Sequence, residues 1–310
     1  MSAERTSVIH DLGEEEWDYL IVLDACRYDY LSSMYRRYLE GALLARLSPG
    51  IDTPSWCRKA LRRVFKDTIY ISANPYINST VPVKGCIVQG RFRKIVDVWR
   101  DGWDERLGTV PPWITTQSAL EHLAEAERMI VHYLQPHAPY LSPNYLVTGF
   151  PTPRPGRASI LRWTRDRGEP PITEKTLRLA ASMLWRAGLI AHPWPLLEAL
   201  RLPPASPMDM VRRLYGIKGL REAYRENLDM VLGYVALLVN KILKHRPDAR
   251  IVVTADHGEV LGENGQYGHS FEHPYVRLVP WLRVTGVKRI PGDAEIRVKL
   301  YRLRSRLKHG

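Results

Sequence analysis

Asp24, Asn74, His137 and the pair Asp256-His257 each stand at or just after the end of a short apolar run. The runs are Tyr19-Leu-Ile-Val-Leu-Asp24, Thr68-Ile-Tyr-Ile-Ser72, Arg128-Met-Ile-Val-His-Tyr-Leu134 and Arg250-Ile-Val-Val-Thr254. A lone aspartate in such a place is commonly a helix cap or a satisfied polar group. Two Asp, two His and one Asn at four strand ends are a stronger pattern. Ligands of open α/β sheets gather beyond the carboxyl ends of the strands. Two carboxylates and an imidazole make a cage for a hard or borderline divalent cation. A cation held there supplies positive charge to an ester oxygen and lowers the pKa of a bound hydroxyl. On a straight strand, Asp256 and His257 would point to opposite faces. They meet in one site only if the chain turns, and Gly258 supports a turn.

The elements that must position these residues are legible in outline. The four runs are apolar at odd and even positions alike, as in strands covered by helices on both faces. Residues 220–245 repeat Tyr224, Leu228, Val231, Val235, Leu238 and Ile242 at helical steps, and Pro247-Asp248 ends the pattern. Strands alternating with helices predict a largely parallel α/β sheet. The stretch 150–206 differs. It opens on Phe150-Pro-Thr-Pro-Arg-Pro-Gly156, has a helical segment around 174–187, and turns Pro-rich at His192-Pro-Trp-Pro195 and Pro203-Pro204. It reads as an insertion or cap on a single domain spanning 1–310. The tail, 296–310, sets Leu300, Leu303 and Leu307 on one helical face among Arg302, Arg304, Arg306 and Lys308. Such a basic amphipathic helix either lies on an anionic membrane or packs its leucines on the body.

With 310 residues, 45% of them hydrophobic, the chain can bury a large core. No run of about 18 uncharged apolar residues occurs, which argues against a membrane span. The beginning leads into Glu14-Glu15-Glu16 with no apolar signal core. Cys26, Cys57 and Cys86 are an odd set without CxxC spacing, which fits a reducing interior and argues against a zinc ribbon or a disulfide framework. The expected location is therefore cytoplasmic, with peripheral membrane contact left open. A net charge of +12 favours anionic partners: ester substrates, acidic glycans or an anionic membrane surface. A solvated arginine-rich surface explains the same number. No RNA-recognition aromatic pair, KH loop or zinc-finger spacing is present, so no specific nucleic-acid partner is expected.

Tyr19-Leu-Ile-Val-Leu-Asp24-Ala-Cys-Arg27-Tyr-Asp29 resembles the amino-terminal D-x-x-R-x-D metal motif of sulfatases and phosphonate monoester hydrolases. Val253-Thr-Ala-Asp256-His257-Gly-Glu259, then Tyr267-Gly-His269 and Arg277-Leu-Val-Pro280, resemble the T-x-D-H-G-E, G-H and R-V-P elements of the alkaline phosphatase and sulfatase superfamily. Pro136-His137-Ala-Pro-Tyr140 resembles its P-H-x-P-Y substrate loop. The resemblance implies an alkaline phosphatase-like three-layer sandwich, with a mainly parallel central sheet flanked by helices. It implies one divalent ion (Mn, Zn, Ca or Mg) on Asp24, Thr53, Asp256 and His257. His137 and His269 would hold substrate oxygens or serve the leaving group. Asn74 and Arg27 would bind substrate, and Arg27 is equally suited to orienting carboxylates or to a structural ion pair.

The superfamily's nucleophile is a Ser, Thr or modified Cys near a Pro-Ser pair at a helix start. The matching stretch here is Ser48-Pro-Gly-Ile-Asp-Thr53-Pro54-Ser55-Trp-Cys57-Arg58. Thr53 is the expected nucleophile, with Ser55 and Ser48 as runners-up. Pro54 in the first turn would make Thr53 the N-cap, beside free N–H groups that favour an anion. A sulfatase's Cys-x-Pro-Ser-Arg is absent, because Asp52 precedes Pro54-Ser55 in that register. Ala25 stands where many relatives carry a second Asp, which favours one ion over two. The expected activity is metal-dependent hydrolysis of phosphate or sulfate esters through a covalent threonine intermediate. The alternatives are transfer to a glycan or lipid acceptor, and a non-catalytic anion binder on the same fold.

Overall fold

The computed structural model describes Leu12 and residues 16–154, 162–163 and 171–309. The chain forms β1 (Tyr19–Leu23), β2 (Leu39–Leu47), β3 (Phe65–Ser72), β4 (Phe92–Asp97) and β5 (Arg128–Tyr133). A ribbon, β6 (Pro153–Arg154) with β7 (Arg162–Trp163), follows. The chain returns to the sheet in β8 (Ile251–Thr254), makes a second ribbon, β9 (Val260–Leu261) with β10 (Tyr267–Gly268), and finishes the sheet with β11 (Leu278–Val287). The main sheet has seven strands in the order β2-β11-β8-β1-β5-β3-β4. β8, β1, β5, β3 and β4 are parallel, and β11 and β2 close one side through antiparallel pairings.

The helices are α1 (Tyr28–Met34), α2 (Thr53–Ala60), α3 (Val98–Asp101), α4 (Pro112–Glu121), α5 (Ile172–Arg186), α6 (Pro193–Ala199), α7 (Pro207–His245), α8 (Pro274–Arg277) and α9 (Gly292–His309). Because strand side chains alternate, β1 feeds two cores. Tyr19, Ile21 and Leu23 join Leu31, Ile114 and the α7 stripe of Leu228, Val231, Val235, Leu238 and Ile242 on one face. Leu20 and Val22 join Trp17, Tyr70, Ile130 and the α2 residues Trp56, Cys57 and Ala60 on the other. Helices therefore cover both faces, and the expected three-layer sandwich is the one observed. Each fully buried aliphatic or aromatic side chain contributes about 1.5–3 kcal/mol of transfer free energy.

The four expected strands are β1, β3, β5 and β8. β2, β4 and β11 were not expected. β2 (Leu-Glu-Gly-Ala-Leu-Leu-Ala-Arg-Leu) is made of good helix formers, and its pairing with β11 overrides that preference. Gly41 is required there, since a Cβ would lie 2.2 Å from the Arg283 carbonyl oxygen at φ 155°. The 220–245 helix begins earlier, at Pro207, and is interrupted by Gly216 at φ 67°. The 174–187 segment is α5. The rest of the 150–206 stretch lies partly outside the described residues.

One expectation is corrected. Cys57 and Cys86, 29 residues apart, form a disulfide that ties α2 to the loop after β3. Their spacing carries no signal, because the chain fold alone brings them together. The bond removes the cysteine-based reason for expecting a reducing compartment. In α9 it is Ala294 and Val298 that pack on the body, while Leu300 is half exposed. The side chains of Leu303 and Leu307 lie outside the described residues. Among the described residues, no helix is long and apolar enough to cross a membrane.

Candidate active site

The site begins with how β1 ends. Asp24 leaves the strand buried, and Ala25 takes φ 58°, a left-handed conformation uncommon for a residue with a Cβ. That turn aims the Ala25 N–H at Asp256 Oδ1, 3.1 Å away. Tyr224, on α7, secures it by donating to the Ala25 carbonyl at 2.7 Å and accepting from Arg27 N at 2.9 Å. On the adjacent strand, the chain bends after Thr254. Gly258 is needed there for close approach, since a Cβ would sit 2.0 Å from the Tyr275 carbonyl oxygen. The bend delivers both Asp256 and His257 to one place.

Asp24, Asp256 and His257 each offer one donor atom, and these lie within 4.8 Å of one another. All three residues are buried. Thr53 Oγ1 donates to Asp256 Oδ2 at 2.7 Å. Asn74 Nδ2 donates to Asp24 Oδ2 at 2.6 Å and lies 3.2 Å from Thr53 Oγ1. The ring of His257 is oriented by its backbone: Nδ1 donates to the Gly258 carbonyl at 2.9 Å. A carbonyl only accepts, so the proton sits on Nδ1 and the Nε2 lone pair faces the carboxylates. Nε2 has no hydrogen-bond partner among the described residues, although it is buried. Burial pushes the Asp24 carboxyl well above its ordinary range, and the neighbouring charges of Asp256 and Glu259 add to this. For Asp256 burial acts in the same direction, but His257, His132 and the bonds from Thr53 and Ala25 outweigh it and hold the carboxyl low. Burial lowers the His257 imidazole and keeps it neutral. Crowded buried carboxylates with an orphaned neutral imidazole fit a divalent cation.

Thr53 is not the N-cap that the sequence suggested. Asp52 is, and its carboxylate accepts from Ser55 N at 2.8 Å. This acidic cap occupies the N–H expected to favour an anion. Ser55 Oγ completes the capping box, accepting from Ile51 N and Asp52 N. Ser48 Oγ donates to the Asp256 carbonyl. Both runner-up hydroxyls thus serve the backbone, while the Thr53 hydroxyl alone points into the cage.

Arg27 is held by carboxylates of the chain itself. Its guanidinium grips Asp29 and Glu263 at 2.7 Å each, bonds the Glu259 carbonyl and lies 3.8 Å over the Tyr275 ring. These contacts match both the carboxylate-orienting and the structural ion-pair expectations for Arg27. Asn74 does reach the cage and touches both Asp24 and Thr53.

A second group lies against the first. His137, Glu259 and His269 also present donor atoms within 4.8 Å of one another. His269 Nδ1 meets Glu259 Oε1 at 2.7 Å, and its ring centroid is 4.4 Å from that of His257 and 5.2 Å from that of His137. Burial lowers the His269 imidazole, but the Glu259 charge and hydrogen bond overcome this and raise it. His137 donates from Nδ1 to the Ala138 carbonyl at 2.6 Å, so its Nε2 is also an open lone pair. Asn227 holds the His137 loop by donating to the Pro136 and His137 carbonyls at 3.1 and 3.2 Å. The peptide bonds before Pro136 and Pro139 are cis.

The sequence reading assigned no role to Glu259, Asn227, Tyr224 or His132. Asn227 had a signal: it is a polar residue inside the apolar stripe of α7, next to Leu228. His132 lies within the β5 run, where a buried polar residue is unusual. It bonds Tyr70 Oη at 2.9 Å, approaches Asp256 at 3.9 Å, and burial lowers its pKa to about 4.

No family model and no curated protein matches the sequence. Among solved structures, the chain is similar to the integral membrane lipooligosaccharide phosphoethanolamine transferase A of Neisseria meningitidis, at 16% identity and TM-score 0.45. That alignment covers 91% of this chain and 52% of the transferase, so the chain spans about half its length. It is similar to a phosphonate monoester hydrolase from Silicibacter pomeroyi, at 15% identity and TM-score 0.43, covering 90% of this chain and 68% of the other. It is also similar to an alkaline phosphatase superfamily protein from Vibrio parahaemolyticus, at 10% identity and TM-score 0.43, covering 88% and 61%.

Proposed function

We propose that this chain is a metal-dependent hydrolase of phosphate or sulfate esters, with Thr53 as nucleophile. The observation that carries the reading is the convergence of Asp24, Thr53, Asp256 and His257, from three separate parts of the chain, on one buried cage. Asp24, Asp256, His257 and the Thr53 oxygen would hold one divalent ion. When bound, that ion supplies positive charge to the ester and acidifies the hydroxyl it touches. Asp256 orients the Thr53 O–H and accepts its hydrogen bond. Asn74 fixes the same oxygen from the other side. In-line attack by the Thr53 oxygen, whose proton leaves along its hydrogen bond to Asp256, would break the bond to the leaving alcohol and give a phospho- or sulfo-threonine. His269, made more basic by Glu259, would give the departing alcohol its proton, with His137 beside it. Water then cleaves the threonine ester; a second alcohol in its place makes the protein a transferase.

Thr53→Ala and Asp256→Ala test the assignment against aryl phosphates, phosphodiesters and sulfates. Near-normal turnover in either removes that residue from the reaction. Elemental analysis and a melting curve with added divalent ion separate an enzyme from an anion-binding protein that uses no metal. Product analysis with an added alcohol separates hydrolysis from transfer.

A further inference from the structure

Apolar side chains left in water together on one surface call for an occupant. α5 turns Trp185 and the ion pair Glu174–Arg178 toward the body and buries Ala181. Its opposite side carries Ile172, Leu179 and Met183, which are 82%, 61% and 62% exposed. Their steps of seven and four residues put them in one row along the helix. Lys175 and Arg186, both exposed, border that row on one side. A second apolar group, Leu214, Tyr215 and Ile217, is exposed where Gly216 breaks α7. Segment 171–221 holds eight Lys and Arg against three Asp and Glu. All three carboxylates are taken by arginine: Glu174 by Arg178, Glu198 by Arg212, and Asp209 by Arg212 and Arg213. The surface is thus apolar and cationic at once.

We infer that α5 and the α7 break form a docking surface for an anionic lipid bilayer. The apolar row enters the acyl boundary, and Lys175 and Arg186 reach the headgroups. Charge decides between this occupant and a second copy of the chain, because symmetric self-docking would set each positive surface against itself. The inner face of α5 rests on the site loop, with the Trp185 ring 5.4 Å from that of Phe271, two residues beyond His269. Docking therefore brings the candidate site to the lipid surface, where amphiphilic esters are found. The inference goes beyond the ester chemistry and is tested without turnover.

The experiment is co-sedimentation of the full chain with vesicles of phosphatidylcholine alone and of phosphatidylcholine mixed with phosphatidylglycerol. The chain is expected to pellet with the anionic vesicles and to be released by salt. The triple variant Ile172→Ser, Leu179→Ser, Met183→Ser should lose at least about tenfold in partitioning. Lys175→Gln with Arg186→Gln should lose about fivefold or more. These side chains are exposed, and an unchanged melting temperature confirms that the variants fold. Failure of the parent chain to pellet, or equal pelleting of the triple variant, overturns the inference. So does equal binding to neutral vesicles. A concentration-dependent dimer that the triple variant abolishes, without vesicle binding, assigns the face to a second copy instead.

Discussion

The floor of the site and the segment proposed as its cap are built on opposite rules. The floor buries polar groups: Asp24, Thr53, Asn74, Asp256, His257 and Glu259 are all below 5% exposed. The cap exposes apolar ones, with Ile172, Leu179, Met183 and Leu189 standing in water. A buried polar group is tolerated only when something satisfies it, and an exposed apolar row is kept only when something covers it. On the proposed reading the floor would hold an ion and an ester oxyanion, and the exposed row of α5 would meet a lipid surface. The two can be disturbed separately, because the exposed row lies on the side of α5 opposite Trp185, which faces Phe271 in the loop bearing His269.

The largest effect should come from the floor. Asp256→Ala and Thr53→Ala should each lower turnover by more than about a hundredfold, read as kcat on an aryl ester. A smaller loss would mean that the cage is structural. Added divalent ion should come next, raising stability by about 3 kcal/mol at a hundredfold excess over its Kd. Its pH dependence tests Asp24. With the folded pKa raised, the contribution of Asp24 to the stability of the metal-free protein is fully present below the ordinary carboxyl range and is lost as pH rises through the raised value. An ion replaces that proton, so the thermal upshift should grow with pH over the same window. A flat upshift would detach Asp24 from the ion.

Breaking the staple on α2 should have an effect of similar size. Cys57→Ser with Cys86→Ser should reduce stability by about 2–4 kcal/mol in denaturant unfolding. No change on reduction of the parent protein would show that the bond does not form. Ser55→Ala, which removes half of the α2 capping box, should cost about 1 kcal/mol while leaving the Thr53 oxygen in place. The smallest effect belongs to the cap. Ile172→Ser, Leu179→Ser and Met183→Ser together should shift stability by no more than about 1.5 kcal/mol and leave kcat on a soluble ester unchanged. A large loss there would show that cap and floor fold as one unit.

Much of this was legible in the residues themselves. The apolar runs before Asp24, Asn74 and Asp256 gave three central strands, because a strand covered on both faces has no other composition open to it. Their polar ends named most of the cage. Local pattern could not name β2 and β11, whose identity as strands depends on pairing with each other, nor the Cys57–Cys86 bond, which depends on α2 and a loop meeting. It mistook Thr53 for the cap, because Asp52 and Thr53 are equally good caps and only the backbone course distinguishes them. It left Arg27 between substrate and structure until Asp29 and Glu263 were seen to occupy it. Residue type sets which chemistry is available and period sets which face an element buries, and both are local. Which hydroxyl faces Asp256 depends on a contact across 203 residues, and which carboxylate shares His269 and which apolar row stays exposed depend on how the chain folds back on itself, so the tertiary structure alone decided them.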